Sequence, residues 1–340
     1  MNRQWRLIRR PLGIAQLTDF DLAETPIPVL QNGEALVRVE MLSMDPTNRL
    51  WLYEQPTYIP SQGLGEVVRG LGLGTVVDSK NDAIKKGTKV FGLLGWQDYK
   101  VLTPNDFWSP LVEIPGVPQS WHLGPIGMHG MTAYFGLLDI AKPQQGETIL
   151  VSAAAGAVGS LVGQIGKIRG CRVVGIAGTP EKCDWIKNDL GFDDAINYRE
   201  VTSLTDAIAK ACPNGIDIYF DNVGGRILEA ALERINLHAR VVVCGMISCY
   251  NESSGDGYDL HPPRNLLRLL YQRARLEGFL VSDYFHRAEE AVMSMLNWYQ
   301  EGKIQYKFDI VSGLENAPET MNKLFTGNHQ GKLILQIANS

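Results

Sequence analysis

An apolar strand that runs through a turn of small residues straight into a helix constrains this chain more than any other feature. Residues 146–170 read GETILVSAAAGAVGSLVGQIGKIRG, and CRVVGIAG follows as a second strand pattern. Strand, crossover helix and strand within a few tens of residues make a βαβ unit, which needs a parallel sheet. The same grammar continues through helix TPEKCDWIKNDLG, strand AINY, helix SLTDAIAKAC, strand IDIYFD, helix GGRILEAALERI and strand HARVVVCGMI. Strands alternating with helices in this way predict a sheet buried on both faces, where apolar residues need not alternate with polar ones. Residues 262–285 add a further helix and the strand-like LEGFLV, residues 288–298 and 318–325 read as helices, and GKLILQIA as a last strand.

The first 125 residues follow a different rule. Period-two stretches such as EALVRVE at 34–40 stand between Pro and Gly punctuation, as in TPIPVLQNG, so an antiparallel sheet or partial barrel is expected there. In GLGLGTVVDSKNDAIKKGTKVFG two β-rich runs flank a turn region, which favours a hairpin. The cofactor-binding domain is placed at residues 126–300, and residues 301–340 are expected to rejoin the N-terminal domain of residues 1–125.

Charge narrows the partners. Lys plus Arg number 32 against 37 Asp plus Glu, a net charge of -5, so no long-range positive field recruits nucleic acid or an anionic membrane. No window reaches the roughly 18 uninterrupted apolar residues of a membrane span, and no apolar run follows the basic start MNRQWRLIRR. The five cysteines, Cys171, Cys183, Cys212, Cys244 and Cys249, contain no CxxC pair, which argues against a disulfide framework and for a reducing, cytoplasmic setting.

The turn itself, Ala153 to Gly159, carries chemistry. Gly156 is the residue expected to turn without a Cβ penalty, Ala157 and Val158 keep the backbone accessible, and Gly159 lets the helix approach the sheet. The helix N-terminus then offers unsatisfied amides to a pyrophosphate. The alternative is a tight turn whose small residues serve packing alone. At the end of the second strand, where an acidic residue would bind the adenosine ribose of NAD, the chain has Gly178, followed by Thr179 and Lys182, with Tyr198 and Arg199 after the third strand. A 2′-phosphate would meet donors and a cation there, which favours NADPH over NADH, unless Lys182 and Arg199 merely solvate the surface. Asn222, in DNVGG after the fourth strand, could bond to the cofactor or simply start a helix. Tyr250 closes CGMISCY and could place a phenolic donor near nicotinamide or substrate, or could pack.

Absences sharpen the reaction. No cysteine precedes Cys171, and only His122 and His129 precede the glycine turn, so the ligands of a catalytic zinc are missing and no metal is expected. No G-x-S-x-G elbow occurs. Hydride transfer is the coherent option.

Together, AAAGAVG, GMHGMTAYFGL (127–137), GTPEK (178–182), NYR (197–199), YFDNVGG (219–225), CGMISCYN (244–251), EGFLV (277–281) and EGKIQY (301–306) resemble the zinc-independent medium-chain reductases, in particular the prostaglandin reductase and leukotriene hydroxydehydrogenase group. The opening NRQW and GLLGWQDY resemble its bacterial and fungal members of curcumin-reductase type. The resemblance implies an α/β fold: a Rossmann doubly wound parallel sheet domain plus a GroES-like β-rich domain, assembled as a homodimer. It also implies roles. Gly156, Ala157, Val158 and Gly159 match the pyrophosphate turn, Lys182 and Tyr198 the 2′-phosphate contacts, and Asn222 a cofactor-side hydrogen-bonding residue. Cys244, Gly245, Met246, Ile247, Ser248, Cys249 and Tyr250 match one segment lining the nicotinamide, and Phe279, Leu280 and Val281 another, with Asn328 near the cofactor. Tyr250 matches the tyrosine beside the substrate carbonyl, and Tyr58 a second pocket tyrosine.

The chain departs from the family at Thr47, where a DPYMR-like motif has tyrosine, and at His129, where a proline is usual. Loss of the ring at Thr47 is expected to alter pocket shape. The implied reaction is NADPH-dependent reduction of the carbon–carbon double bond of an enone or alkenal, with hydride going to the β-carbon and a donor such as Tyr250 steadying the enolate. A quinone reductase, a zinc-free alcohol dehydrogenase and a noncatalytic NADPH-binding protein remain the alternatives from sequence. Trp51, Tyr53 and Tyr58 could crowd a pocket or serve as core.

Overall fold

A computed structural model describes residues 1–251 and 263–338 of the chain. By backbone contacts it divides into two units. The first joins Met1–Leu123 to the stretch that begins at Tyr250 and to the chain from Phe308 onward, and the second holds Gly124–Cys249 and the residues up to Lys307.

In the first unit, β1 (Asn2–Leu7) pairs with β2 (Phe20–Thr25) as an antiparallel ribbon. After it come β3 (Ala35–Ser43), the short helix α1 (Pro46–Leu50), β4 (Leu71–Ser79), β5 (Lys89–Leu93), β6 (Tyr99–Leu102) and β7 (Trp108–Pro110). The period-two runs at 71–79 and 89–93 form the expected antiparallel hairpin.

The second unit begins with α2 (Met128–Phe135), then β8 (Thr148–Val151), α3 (Gly159–Ile168), β9 (Arg172–Ala177), α4 (Pro180–Asn188), β10 (Asp194–Asn197) and α5 (Leu204–Ala211). It continues with β11 (Ile216–Asp221), α6 (Gly225–Leu232), β12 (Ile235–Val243), α7 (Leu267–Tyr271), β13 (Arg275–Gly278) and α8 (Ala288–Gln300). The chain then adds β14 (Phe308–Ser312), α9 (Ala317–Thr326) and β15 (Lys332–Gln336) to the first unit, where β15 runs antiparallel to β3 and parallel to β14. That sheet has the order β14-β15-β3-β4-β5-β7, with β6 also on β3.

The second sheet, β10-β9-β8-β11-β12-β13, is parallel throughout. Counted from β8 this is the doubly wound order 3-2-1-4-5-6. Its strands are apolar for the reason the sequence implies: all four residues of β8 are buried, as are Val173–Ala177 of β9. Helices cap as their residues dictate. Thr179 accepts from the Lys182 amide at the start of α4, with Pro180 in the first turn, and Ser203 accepts from the Asp206 amide at the start of α5.

Two expected spans shift. The strand read over 238–247 lies at Ile235–Val243, because the Cys244 and Gly245 amides both turn back to Asp221 O, at 2.8 and 3.1 Å. The strand-like LEGFLV pairs only as far as Gly278, and Val281–Arg287 forms a 3₁₀ turn. The opening of the segment read from residue 262 lies outside the described residues.

Candidate active site

The turn after β8 is tighter than its letters suggest. Ala153 takes the left-handed conformation at φ 47°, so the strained residue is an alanine, whereas Gly156, expected to supply that freedom, has no positive φ. The Gly156 amide closes the turn onto Ala153 O at 2.9 Å, and Ala154 donates to Ile176 O of β9 at 3.0 Å. Gly159 is the residue the geometry demands: a Cβ there would lie 2.4 Å from Ala153 O and 2.9 Å from Ala154 Cα. Removing that Cβ lets the first turn of α3 sit directly on the end of β8. Among the described residues the amides of Ala157, Val158 and Gly159 have no backbone acceptor, and the buried Ser160 hydroxyl has no hydrogen-bond partner. Three adjacent donors at the positive end of a ten-residue helix suit a pyrophosphate. Tyr306 braces the turn, its hydroxyl donating to Ala157 O at 3.2 Å.

At the end of β9, the Tyr198 ring lies against Gly178: a Cβ at Gly178 would come within 3.0 Å of Tyr198 Cε1. The ring therefore occupies the space an acidic side chain would need. The Arg199 guanidinium lies 5.7 Å from the Tyr198 ring centroid, with Nε donating to the phenol at 3.3 Å. Lys182 stands in the first turn of α4 beside Thr179.

Between β8 and β11, where the strand order reverses, a buried carboxylate organises the loops. Asp221 Oδ1 accepts from the Tyr219 hydroxyl (2.7 Å), the Gly224 and Val223 amides (2.9 and 3.0 Å) and the Ser152 hydroxyl (3.1 Å). Burial pushes its pKa up, against the pull of these donors. Asn222 donates from its backbone to Ser152 Oγ (2.9 Å) and from Nδ2 to Ser152 O (2.7 Å), so its amide group ties two strand ends together. The segment after β12 folds onto this knot. Ile247 and Ser248 donate their amides to Asn222 O and Val223 O, and the Ser248 hydroxyl adds a bond to Val223 O at 2.6 Å. Met246 packs on Gly224, Ile247–Cys249 form a 3₁₀ turn, and Cys249 is buried. Desolvation, reinforced by the Asp221 charge, pushes the Cys244 thiol up to about 12. Phe279, just past β13, meets Tyr284 edge-on at 6.4 Å and reaches toward Gly136, while Leu280 and Val281 lead into the next 3₁₀ turn.

Gly156 to Gly159, Lys182, Tyr198, Asn222, Cys244 to Cys249 and Phe279 to Val281 thus all follow the carboxyl ends of strands in one parallel sheet, where open α/β sheets bind their ligands. Tyr250, Thr47, Tyr58 and Asn328 belong to the other unit. There, Tyr250 is half-buried and its carbonyl accepts from the Tyr53 hydroxyl at 2.6 Å. Thr47 is half-buried on α1, and Tyr58 is exposed. Asn328 is exposed directly after the left-handed Gly327 that ends α9. Trp51 and Tyr53 are core residues, 7% and 8% exposed. Sequence reasoning missed Ser152 and Asp221, whose signal was a polar residue closing each of two apolar strands. Among the described residues no three His, Cys, Asp or Glu side chains gather where they could hold a metal ion.

Family models match along the chain: "N-terminal domain of oxidoreductase" over residues 3–109 and "Zinc-binding dehydrogenase" over residues 157–298. The NADPH-dependent curcumin reductase of Escherichia coli strain K12 is 42% identical over 340 residues, covering 99% of this chain and 97% of that protein. The NADP(+)-dependent 2-alkenal reductase of Nicotiana tabacum is 40% identical over 341 residues, covering 99% and 98%. The crystal structure of CurA from Vibrio vulnificus in complex with NADPH superposes with a TM-score of 0.91 at 40% identity, covering 99% of this chain and all of the other. With a GroES-like domain and a Rossmann-like parallel sheet, the chain belongs to the zinc-independent medium-chain dehydrogenase/reductase family, close to its curcumin and prostaglandin reductases.

Proposed function

We propose that this protein reduces the carbon–carbon double bond of enones and alkenals with NADPH. One observation carries the reading: over 99% of its length the chain is 40% identical to a 2-alkenal reductase, a substrate class defined by an alkene conjugated to a carbonyl. We assign cofactor binding to residues 126–300, and substrate binding to residues 1–125 together with residues 301–340.

The residues present suit NADPH. The free amides of Ala157, Val158 and Gly159 face no backbone acceptor, and Gly159 keeps the turn open to a pyrophosphate. The Tyr198 ring over Gly178, with Lys182 and Arg199 nearby in sequence, favours a 2′-phosphate over a bare ribose. Cys244 to Cys249, with Phe279, Leu280 and Val281, would flank the nicotinamide, held by Asn222 and the Asp221 knot, and we assign Asn328 a cofactor-side role as well. Bound NADPH supplies the hydride. The Tyr250 phenol would donate to the carbonyl oxygen as negative charge grows there, while Thr47 and Tyr58 would shape the pocket. An enolate needs its charge stabilised more than it needs a proton delivered, so the phenol is assigned the stabilising role.

Purified protein with benzylideneacetone, an alkenal or a quinone, under NADPH or NADH, tests the reaction class. NADPH-dependent formation of the saturated ketone is the expected product. An allylic alcohol with its alkene intact, or turnover of the quinone alone, contradicts the reading.

The assembly we infer is a homodimer. β13 is an edge strand, and Leu267, Leu270, Tyr271, Leu276 and Leu280 on or beside it are exposed, an apolar edge that a second copy could cover. Five free thiols among the described residues support a cytoplasmic setting, and no helix there is long and apolar enough to cross a membrane.

A further inference from the structure

The first unit buries an arginine completely. Arg49, 0% exposed, donates from Nη2 to Pro11 O (3.1 Å) and Gly13 O (2.9 Å), and from Nε to Asn251 Oδ1 (3.1 Å). Its guanidinium lies over the Tyr53 ring, 4.6 Å from the centroid. The hydroxyl of that ring donates to Tyr250 O at 2.6 Å. Burying a guanidinium is costly unless its donors are used, and here they hold the loop of Pro11 and Gly13 and the residue after Tyr250. Arg49 lies in the last turn of α1 and Tyr53 in the turn that follows it, its amide donating to Leu50 O at 3.2 Å, so one short stretch grips two consecutive residues, Tyr250 by its carbonyl and Asn251 by its side chain.

That feature is itself anchored. Asp45 caps α1 and receives the buried Lys332 ammonium at 2.8 Å, while Asn48 donates to Arg69 O at 3.2 Å. A residue whose carbonyl and successor are both fixed has little backbone freedom left, and its side chain then starts from a fixed Cα–Cβ bond. Positioning of this kind matters most for a group that must meet charge developing in a transition state.

We propose that Arg49 and Tyr53 are positioning residues for Tyr250, setting the backbone from which its phenol reaches the substrate oxygen. This rests on the reading of Tyr250 as the donor. It makes Tyr53 act through Tyr250 and on nothing else in the reaction.

A double-mutant cycle on the full-length protein tests it. Single-turnover NADPH oxidation with benzylideneacetone is followed at saturating cofactor for the wild type, Tyr53→Phe, Tyr250→Phe and the double variant. Tyr53→Phe keeps the ring under Arg49 and removes one hydroxyl. It is expected to slow the step about fivefold, to leave the Kd for NADPH unchanged, and to cause no further loss in the Tyr250→Phe background. Arg49→Lys, which loses the planar fork, is expected to behave in the same non-additive way, and provides the second variant if either substitution folds poorly. Equal losses in both backgrounds would show an independent structural role and overturn the proposal. A slow Tyr250→Phe beside an unaffected Tyr53→Phe would overturn it alone, whereas a Tyr250→Phe of wild-type rate would remove the donor reading and the proposal with it.

Discussion

A methyl group at Gly159 would meet Ala153 O at 2.4 Å and Ala154 Cα at 2.9 Å, both backbone atoms that cannot rotate away. Gly159→Ala must therefore lift α3 from the turn, and the Kd for NADPH measured by fluorescence titration is expected to rise at least about tenfold; an unchanged Kd would contradict the cradle. Thr47 makes a second residue-scale case. If it shapes the substrate pocket, Thr47→Tyr shifts kcat/KM between a slim alkenal and a bulky aromatic enone, and an unaltered ratio removes Thr47 from the pocket. Thiols give a third. Desolvation pushes Cys212 up to about 11 and Cys244 up to about 12 from an ordinary 9.0. Within that window the folded chain holds protons the unfolded chain has lost, so stability falls as pH rises from about 9 toward 11 and 12. Urea midpoints between pH 8 and 10.5 should decline in the wild type and decline less steeply in Cys212→Ala. Equal slopes would place that thiol in water.

At the scale of elements, local pattern and distant partnership separate what the sequence made legible from what it did not. The βαβ grammar, the caps at Thr179 and Ser203 and the Ala153 to Gly159 turn depend on neighbours a few residues away, and each could be read in order. Asp221 could not, because its meaning lies in Ser152, 69 residues earlier. Nor could Arg49, whose acceptor on Asn251 is 202 residues on. The end of β12 is hidden for the same reason: VVVCGMI carries no polar side chain that would stop a strand, and the Asp221 carbonyl, on another strand, turns the chain after Val243. The left-handed residue was misplaced on Gly156 because alanine at Ala153 accepts a strain that composition does not reveal. The anchoring of α1 is open to test. Lys332 is buried and donates to Asp45 Oδ1 and Met44 O, both at 2.8 Å. Lys332→Met would leave the Asp45 carboxylate without its cation, at a cost of about 3–5 kcal/mol. Calorimetry should show a lower unfolding midpoint, and a midpoint equal to the wild type would mean the pair contributes nothing.

For the whole molecule, the glycine turn and the strand ends lie in one unit, and Tyr250, Thr47 and Asn328 lie in the other. Substitution of Leu270 and Tyr271 beside the β13 edge by Lys should convert a species of twice the 37.6 kDa chain mass into one of that mass by light scattering. A wild-type monomer would remove the dimer from the account. The chemistry has a more direct test. NADPH carrying deuterium at its reactive nicotinamide carbon is reacted with benzylideneacetone, and the product is examined by NMR. Deuterium on the β-carbon of the saturated ketone is the predicted result; deuterium on a carbinol carbon, with the alkene intact, would contradict it.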